Sequence, residues 1–146
     1  MRTTIAVYGT LKESYSNNGR LGEATPLGQA TTVEKFGLIN GGFPVVTPLQ
    51  YGEDTKLWGI GRVAVELYEV DLHTLDKCDQ LEGYDVNDTC DSMYVRMPVK
   101  VYRHECEPEW VQMYVSFESW NSMQSDRNMW IEVDYGVYSW ERLTDG

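Results

Sequence analysis

The sequence predicts an α+β domain built around a curled or closed sheet rich in antiparallel pairs. Three observations predict it. Many short runs combine β-branched and aromatic residues with apolar/polar alternation, one segment alone has a helical period, and glycines, prolines and polar clusters punctuate the rest. At 146 residues the chain suits a single domain, 1–146, with one core.

The elements follow in order. Residues 3–8 form a buried strand that ends at Gly9, and the polar residues 13–22 form a loop. Residues 27–40, carrying Ala30, Val33, Phe36, Leu38 and Ile39, form one or two strands with a bend at Gly37. Gly41, Gly42, Phe43 and Pro44 make a turn, and Val45 and Val46 a brief strand ended by Pro48. The longest strand runs over residues 56–70, with Gly59 and Gly61 as candidate bulges.

The helix comes next. Leu72, Leu75, Cys78 and Leu81 fall three apart and share one helical face. Asp71 is the expected N-cap and Gly83 the expected left-handed residue past the end. Glu82 sits in the last turn, where the helix dipole disfavours a carboxylate, so it is either a solvated surface residue or there for another reason. Residues 93–102 and 111–117 alternate as two further strands. Residues 129–140 hold Trp130, Tyr135, Tyr138 and Trp140 and are expected to pack back on the body.

Composition excludes several functions. A formal net charge of −11 repels phosphate backbones and anionic membranes, and the basic residues are scattered, so no nucleic acid and no membrane partner is expected. No run approaches the roughly 18 apolar residues of a membrane span, and the N-terminal apolar run is too short for a signal peptide. The three cysteines, Cys78, Cys90 and Cys106, form no C-x-x-C pair and read as reduced thiols of a cytoplasmic protein. With only two histidines, His73 and His104, and no ligand spacing, no metal site is expected.

An ordered set of motifs then stands out. Val7-Tyr8-Gly9-Thr10-Leu11 comes first, then Gly41 to Pro44 as G-x-F-P. Glu66-Leu67-Tyr68 leads into Leu75-Asp76 and Glu82-Gly83-Tyr84, and Tyr94-x-Arg96-x-x-Val99-x-Val101 follows. The set resembles the γ-glutamylcyclotransferase-like family, which includes γ-glutamylamine cyclotransferase and AIG2-like proteins. The resemblance covers residues 4–117; residues 118–146 form an aromatic-rich extension outside it. Val65 departs from the pattern, because similar sequences often carry Gly there, and this marks pocket shape as the point of difference.

The resemblance implies a small closed, mostly antiparallel β-barrel flanked by helices, with a cavity at one end. It also implies a cofactor-free reaction on a small γ-glutamyl substrate. The substrate's α-amine attacks its own γ-carbonyl, closes 5-oxoproline and expels an amine. A tethered nucleophile already has effective molarities of about 10⁵ M or more, so the protein need supply little beyond a proton acceptor and donor. The family's carboxylate maps to Glu82, and partial burial would raise its pKa toward a useful range.

The substrate-binding loop maps to Tyr8, Gly9, Thr10 and Leu11. A glycine turn lets backbone N–H groups approach a carboxylate or carbonyl oxygen closely; as residues alone, the same stretch reads as an ordinary strand-ending turn. Tyr94 is a candidate donor to substrate or a rim tyrosine, with Arg96 on the same face. Phe43 either walls the cavity or packs within its own turn. His73 reads as surface and Cys78 as core. The alternative function is a catalytically silent module that binds a small amino-acid-like ligand or a protein.

Overall fold

The structure is a computed structural model that describes residues 2–8, 24–40, 44–49, 57–81, 94–103, 107–117 and 128–142. Nine strands and one helix make up these residues: β1 (Arg2–Val7), β2 (Thr25–Thr32), β3 (Phe36–Asn40), β4 (Pro44–Pro48), β5 (Gly59–Asp71), α1 (Leu72–Leu81), β6 (Val95–Tyr102), β7 (Glu109–Val115), β8 (Asn128–Asp134) and β9 (Val137–Arg142). The strand-rich architecture with a single helix follows the alternation in the sequence. Among the described residues no helix is long and apolar enough to cross a membrane.

The 13-residue β5 organises the sheet. Its C-terminal part pairs antiparallel with β1, from Arg2 beside Asp71 to Val7 beside Glu66, and with β2, where Ala30 faces Val65. Its N-terminal part pairs with β3, Phe36 beside Gly61, and in parallel with β9, Arg62 beside Val137. β1 continues in parallel to β7, β7 pairs antiparallel with β6, and β6 with β2. The pairings β1–β7–β6–β2–β5–β1 therefore return to their starting strand.

Alternation along each strand produces two apolar layers. Ala6, Tyr8, Ala30, Leu38, Val65, Leu67, Val101 and Met113 point to one side, and Trp130 and Trp140 of the C-terminal hairpin join them. Ile5, Val7, Tyr68, Val70, Tyr94 and Tyr114 point to the other side, where Leu75 and Cys78 of α1 cover them. The expected packing of the aromatic extension is thus observed: Trp130 and Trp140 are fully buried, while Tyr135 stands 91% exposed at the hairpin turn.

α1 begins as expected, with the Thr74 N–H donating to Asp71 Oδ1 at 2.7 Å. That bond to the carboxylate, with the positive charges of His73 and Arg2 nearby, holds the exposed Asp71 carboxyl below the usual aspartate range. One detail of the helix differs. Leu72 is 59% exposed, because it stands at the first helical position before the chain has turned its apolar face to the sheet. Gly83, the expected C-terminal cap, lies outside the described residues.

Three glycines behave differently from expectation. The break between β2 and β3 falls at residues 33–35, and Gly37 lies inside β3, where a Cβ would come 2.9 Å from Thr47 Cγ2. Gly59 and Gly61 sit in regular register opposite Leu38 and Phe36, so neither is a bulge. The register shift lies instead in β2 between Pro26 and Gly28, where Gly28 adopts a φ of +100°.

Gly61 is needed for close approach. A Cβ there would stand 2.5 Å from the Tyr138 ring and 3.0 Å from the Gly136 carbonyl oxygen. The Arg62 N–H donates to that same carbonyl at 2.9 Å, which fixes the backbone that would have to give way. Gly61→Ala should therefore cost about 1–3 kcal/mol of stability by overpacking. Urea denaturation checks this; a variant within 0.5 kcal/mol of the parent would show that the hairpin yields freely.

Candidate functional site

The described residues that flank the candidate site stretches gather at one end of the sheet. Parallel pairing sets Ile5 beside Gln112, and antiparallel pairing sets Val115 beside Val95. β1 and β7 therefore finish together where β6 begins. Tyr8 follows β1, Tyr94 precedes β6, and Pro44, which follows Phe43 in the chain, opens β4. The Ser116 N–H donates to the Val46 carbonyl at 2.9 Å and ties β4 to this end.

Tyr8 and Tyr94 enter opposite layers. Tyr8 lies with the core that includes Trp130, and its hydroxyl donates to the Tyr114 carbonyl at 2.7 Å. Tyr94 lies in the layer under α1, and its hydroxyl donates to the Pro44 carbonyl at 2.9 Å. Both bonds are buried. Each tyrosine thus holds the backbone beside a candidate stretch, Tyr8 at the exit of β1 and Tyr94 at the entry to β4. Glu82, Gly9, Thr10, Leu11 and Phe43 lie outside the described residues.

Sequence reasoning missed the group that holds the end of the helix. Asp79 Oδ1 accepts from Arg96 Nε at 2.9 Å and Asp79 Oδ2 from Arg96 Nη2 at 3.2 Å. The Tyr114 hydroxyl donates to the same Oδ1 at 2.6 Å, and Arg96 Nη1 reaches Gln112 Oε1 at 3.3 Å. The side chains of Arg96 and Asp79 are 20% and 16% exposed, so this two-pronged pair is largely shielded from water. Burial first, and then the Asp79 carboxylate, push the Tyr114 hydroxyl far above its usual range, so it acts as a fixed donor.

These bonds join α1, β6 and β7 at a point three residues before Glu82. Arg96, placed by the sequence on the face of Tyr94, is not a solvated side chain: it turns to the helix and binds Asp79. A signal for this existed. Arg96 and Tyr114 occupy the same face of their strands as Tyr94, and Asp79 adjoins Cys78 on the buried side of the helix.

One cavity of about 600 Å³ lies elsewhere, between the outer face of β2 and β5 and the C-terminal hairpin. Gln29, Thr31, Glu66, Tyr102, Asp134 and Glu141 contribute to its lining, and neither Tyr8 nor Tyr94 does. Cys78 is buried in the core and His73 is exposed, as their sequence positions suggested. Among the described residues no group of three or more His, Cys, Asp or Glu could hold a metal ion.

A family profile described as gamma-glutamyl cyclotransferase, AIG2-like, matches residues 5–139. The chain belongs to that family. The match runs past residue 117 into β9, so the family's pattern includes most of the C-terminal hairpin. Among solved structures, this family member is similar to an AIG2-like protein from Mus musculus, with 26% identity, TM-score 0.56, and coverage of 79% of this chain and 77% of that one. It is also similar to YkqA from Bacillus subtilis, with 24% identity, TM-score 0.56 and 80% of this chain covered. The match spans 36% of the YkqA chain, about a third of its length. A structure named gamma-glutamyl cyclotransferase shares the fold at 15% identity and TM-score 0.58, over 80% of this chain and 67% of that one. No curated protein sequence matches the chain.

The Asp79–Arg96 pair generates a prediction. Arg96→Met should cost roughly 2–4 kcal/mol, because it leaves a shielded carboxylate without its cation. Adding Asp79→Leu to that variant should recover part of the loss, since the unpaired charge is then gone. Guanidinium unfolding of the single and double variants measures both. A single variant as stable as the parent, or a double variant less stable than the sum of the two single changes, would contradict the assigned pairing.

Proposed function

We propose that this chain is a cofactor-free cyclotransferase that releases 5-oxoproline and a free amine from a γ-glutamyl amine or γ-glutamyl peptide. In this reading the substrate's α-amine attacks its own γ-carbonyl. Glu82 accepts a proton from that amine and returns one to the departing amine. The backbone N–H groups of Gly9, Thr10 and Leu11 receive the substrate's carboxylate or carbonyl oxygen, Phe43 lines the site, and Tyr8 and Tyr94, first expected to touch substrate, instead hold the backbone beside it. The ring of strand pairings is read as the closed barrel that carries this site at one end, and the protein as acting in the cytoplasm.

The observation that carries the reading is the family match over residues 5–139, which contains every residue of the candidate site. The geometry supports it from a second direction. An acid/base group must be held relative to the substrate loop, because a misplacement of about 1 Å can cost 10²-fold in rate. The bonds around Asp79 fix α1 just ahead of Glu82, and the Tyr8 hydroxyl fixes the chain just ahead of Gly9. Both anchors converge on one residue of β7: the Tyr114 carbonyl accepts from Tyr8, and the Tyr114 hydroxyl donates to Asp79.

Glu82→Gln keeps the shape of the side chain but cannot take a proton at neutral pH. Turnover should fall by roughly 10²-fold or more, the usual scale of general acid–base catalysis. The melting temperature should hold or rise slightly, since a carboxylate at a helix C-terminus is unfavourable. Rates of 5-oxoproline release beside melting curves decide the matter. Near-parental turnover in Glu82→Gln would remove the proton-transfer role, and a collapse in melting temperature would make Glu82 structural.

A further inference from the structure

We propose that Trp130 is a positioning residue that couples the end of β1 to the end of β3, the two strands that lead in sequence to residues 9–11 and 43. The inference rests on the cyclotransferase reading for its functional consequence, and on geometry alone for the coupling. Trp130 belongs to β8, at least ninety positions away in sequence from either strand end. Its ring stacks on Tyr8, with centroids 6.1 Å apart and planes inclined by 29°. Its Nε1–H donates to the Ile39 carbonyl oxygen at 3.1 Å, inside the core. Tyr8 stands immediately before Gly9, and Ile39 stands two residues before Gly41. One side chain therefore grips both strands next to the residues assigned to substrate binding, 9–11 and 43.

The indole has little freedom. The side chain is 1% exposed and is braced edge-on by Trp140 at 5.6 Å and 75°. A buried indole N–H without an acceptor is costly, so the bond to Ile39 is kept. The stack and the hydrogen bond lie on one rigid ring. A displacement of β1 relative to β3 would break one or the other, which neither a leucine nor a phenylalanine could enforce. This assigns the C-terminal hairpin a role in the site itself, where the sequence suggested only packing.

The test uses two variants of the whole chain and two readouts. Trp130→Phe retains an aromatic ring beside Tyr8 and loses the donor to Ile39. Trp140→Phe makes the same change in size in the same layer, keeps an aromatic ring against Trp130, and removes neither the stack on Tyr8 nor the bond to Ile39. Hydrogen exchange, which needs no activity, is read on peptides that end at Tyr8 and at Asn40 and cover β1 and β3. Trp130→Phe should raise exchange in both peptides at least tenfold, with peptides of β6 and β7 unchanged, and Trp140→Phe should not. Kinetics follow on a γ-glutamyl amine. Trp130→Phe should raise KM several-fold and lower kcat/KM by tenfold or more, whereas Trp140→Phe should leave both within twofold.

Exchange that stays at parental levels in both peptides, or that rises equally in Trp140→Phe, overturns the coupling. Raised exchange with unchanged kinetics overturns its importance for the site. A parent protein that releases no 5-oxoproline, with the exchange result as expected, leaves the coupling standing and removes the cyclotransferase reading instead.

Discussion

The structure depends on the double use of β5. Along one strand, residues 59–63 pair with β3 and β9 while residues 64–71 pair with β1 and β2. Every other strand reaches the core through this one or through a partner of it. The demand explains two features of its sequence. Gly61 must have no side chain, because Tyr138 and the Gly136 carbonyl occupy that space. Val63, Val65 and Leu67 must face one layer, and Tyr68 and Val70 the other, because the strand borders both. β5 also runs without interruption into the Asp71 cap and α1. The helix therefore starts where the sheet places it and is held near its end by Arg96 and Tyr114.

On the proposed reading, clamping both ends of α1 serves to keep the Glu82 carboxylate in one place. A helix of 10 residues alone in water would be marginal. Here Leu75 and Cys78 bury its apolar face, and the shielded Asp79–Arg96 pair sets its rotation. Such a pair contributes little net stability against well-packed apolar residues of similar size. What it supplies is direction, since its two parallel bonds allow one arrangement of helix against sheet. A net charge of −11 is compatible with the proposed anionic substrate, because backbone N–H groups act as local dipoles whatever the net charge.

Much of the fold was legible in the sequence because it is written in short-range periods. Alternation located β5, β6 and β7, three-residue spacing located the helix, and Asp71 was recognisable as a cap from its position alone. The density of tryptophan marked the C-terminal hairpin for burial. The features that escaped are long-range. Gly37 and Gly61 look like breakers, yet each is small because of a neighbour distant in sequence, Thr47 for one and Tyr138 for the other. Asp79 looks like a surface aspartate until β6 brings Arg96 beside it, and Trp130 looks like generic core until its partners, Tyr8 and Ile39, are known. The candidate site was legible only through the ordered motifs. Of its residues, the described Tyr8 and Tyr94 serve the backbone around it with buried hydrogen bonds.

The central claim is the intramolecular chemistry, and product stoichiometry tests it most directly. The purified chain would be incubated with a panel of γ-glutamyl amines and γ-glutamyl peptides, and both products followed by proton NMR. The account predicts that at least one substrate yields 5-oxoproline and free amine in equal amounts, with no free glutamate formed and no added metal or cofactor required. Glutamate in place of 5-oxoproline would mean that water rather than the tethered amine attacks the carbonyl, and would contradict the account. Failure of every substrate to react would contradict it as well, and would leave a binding module in its place.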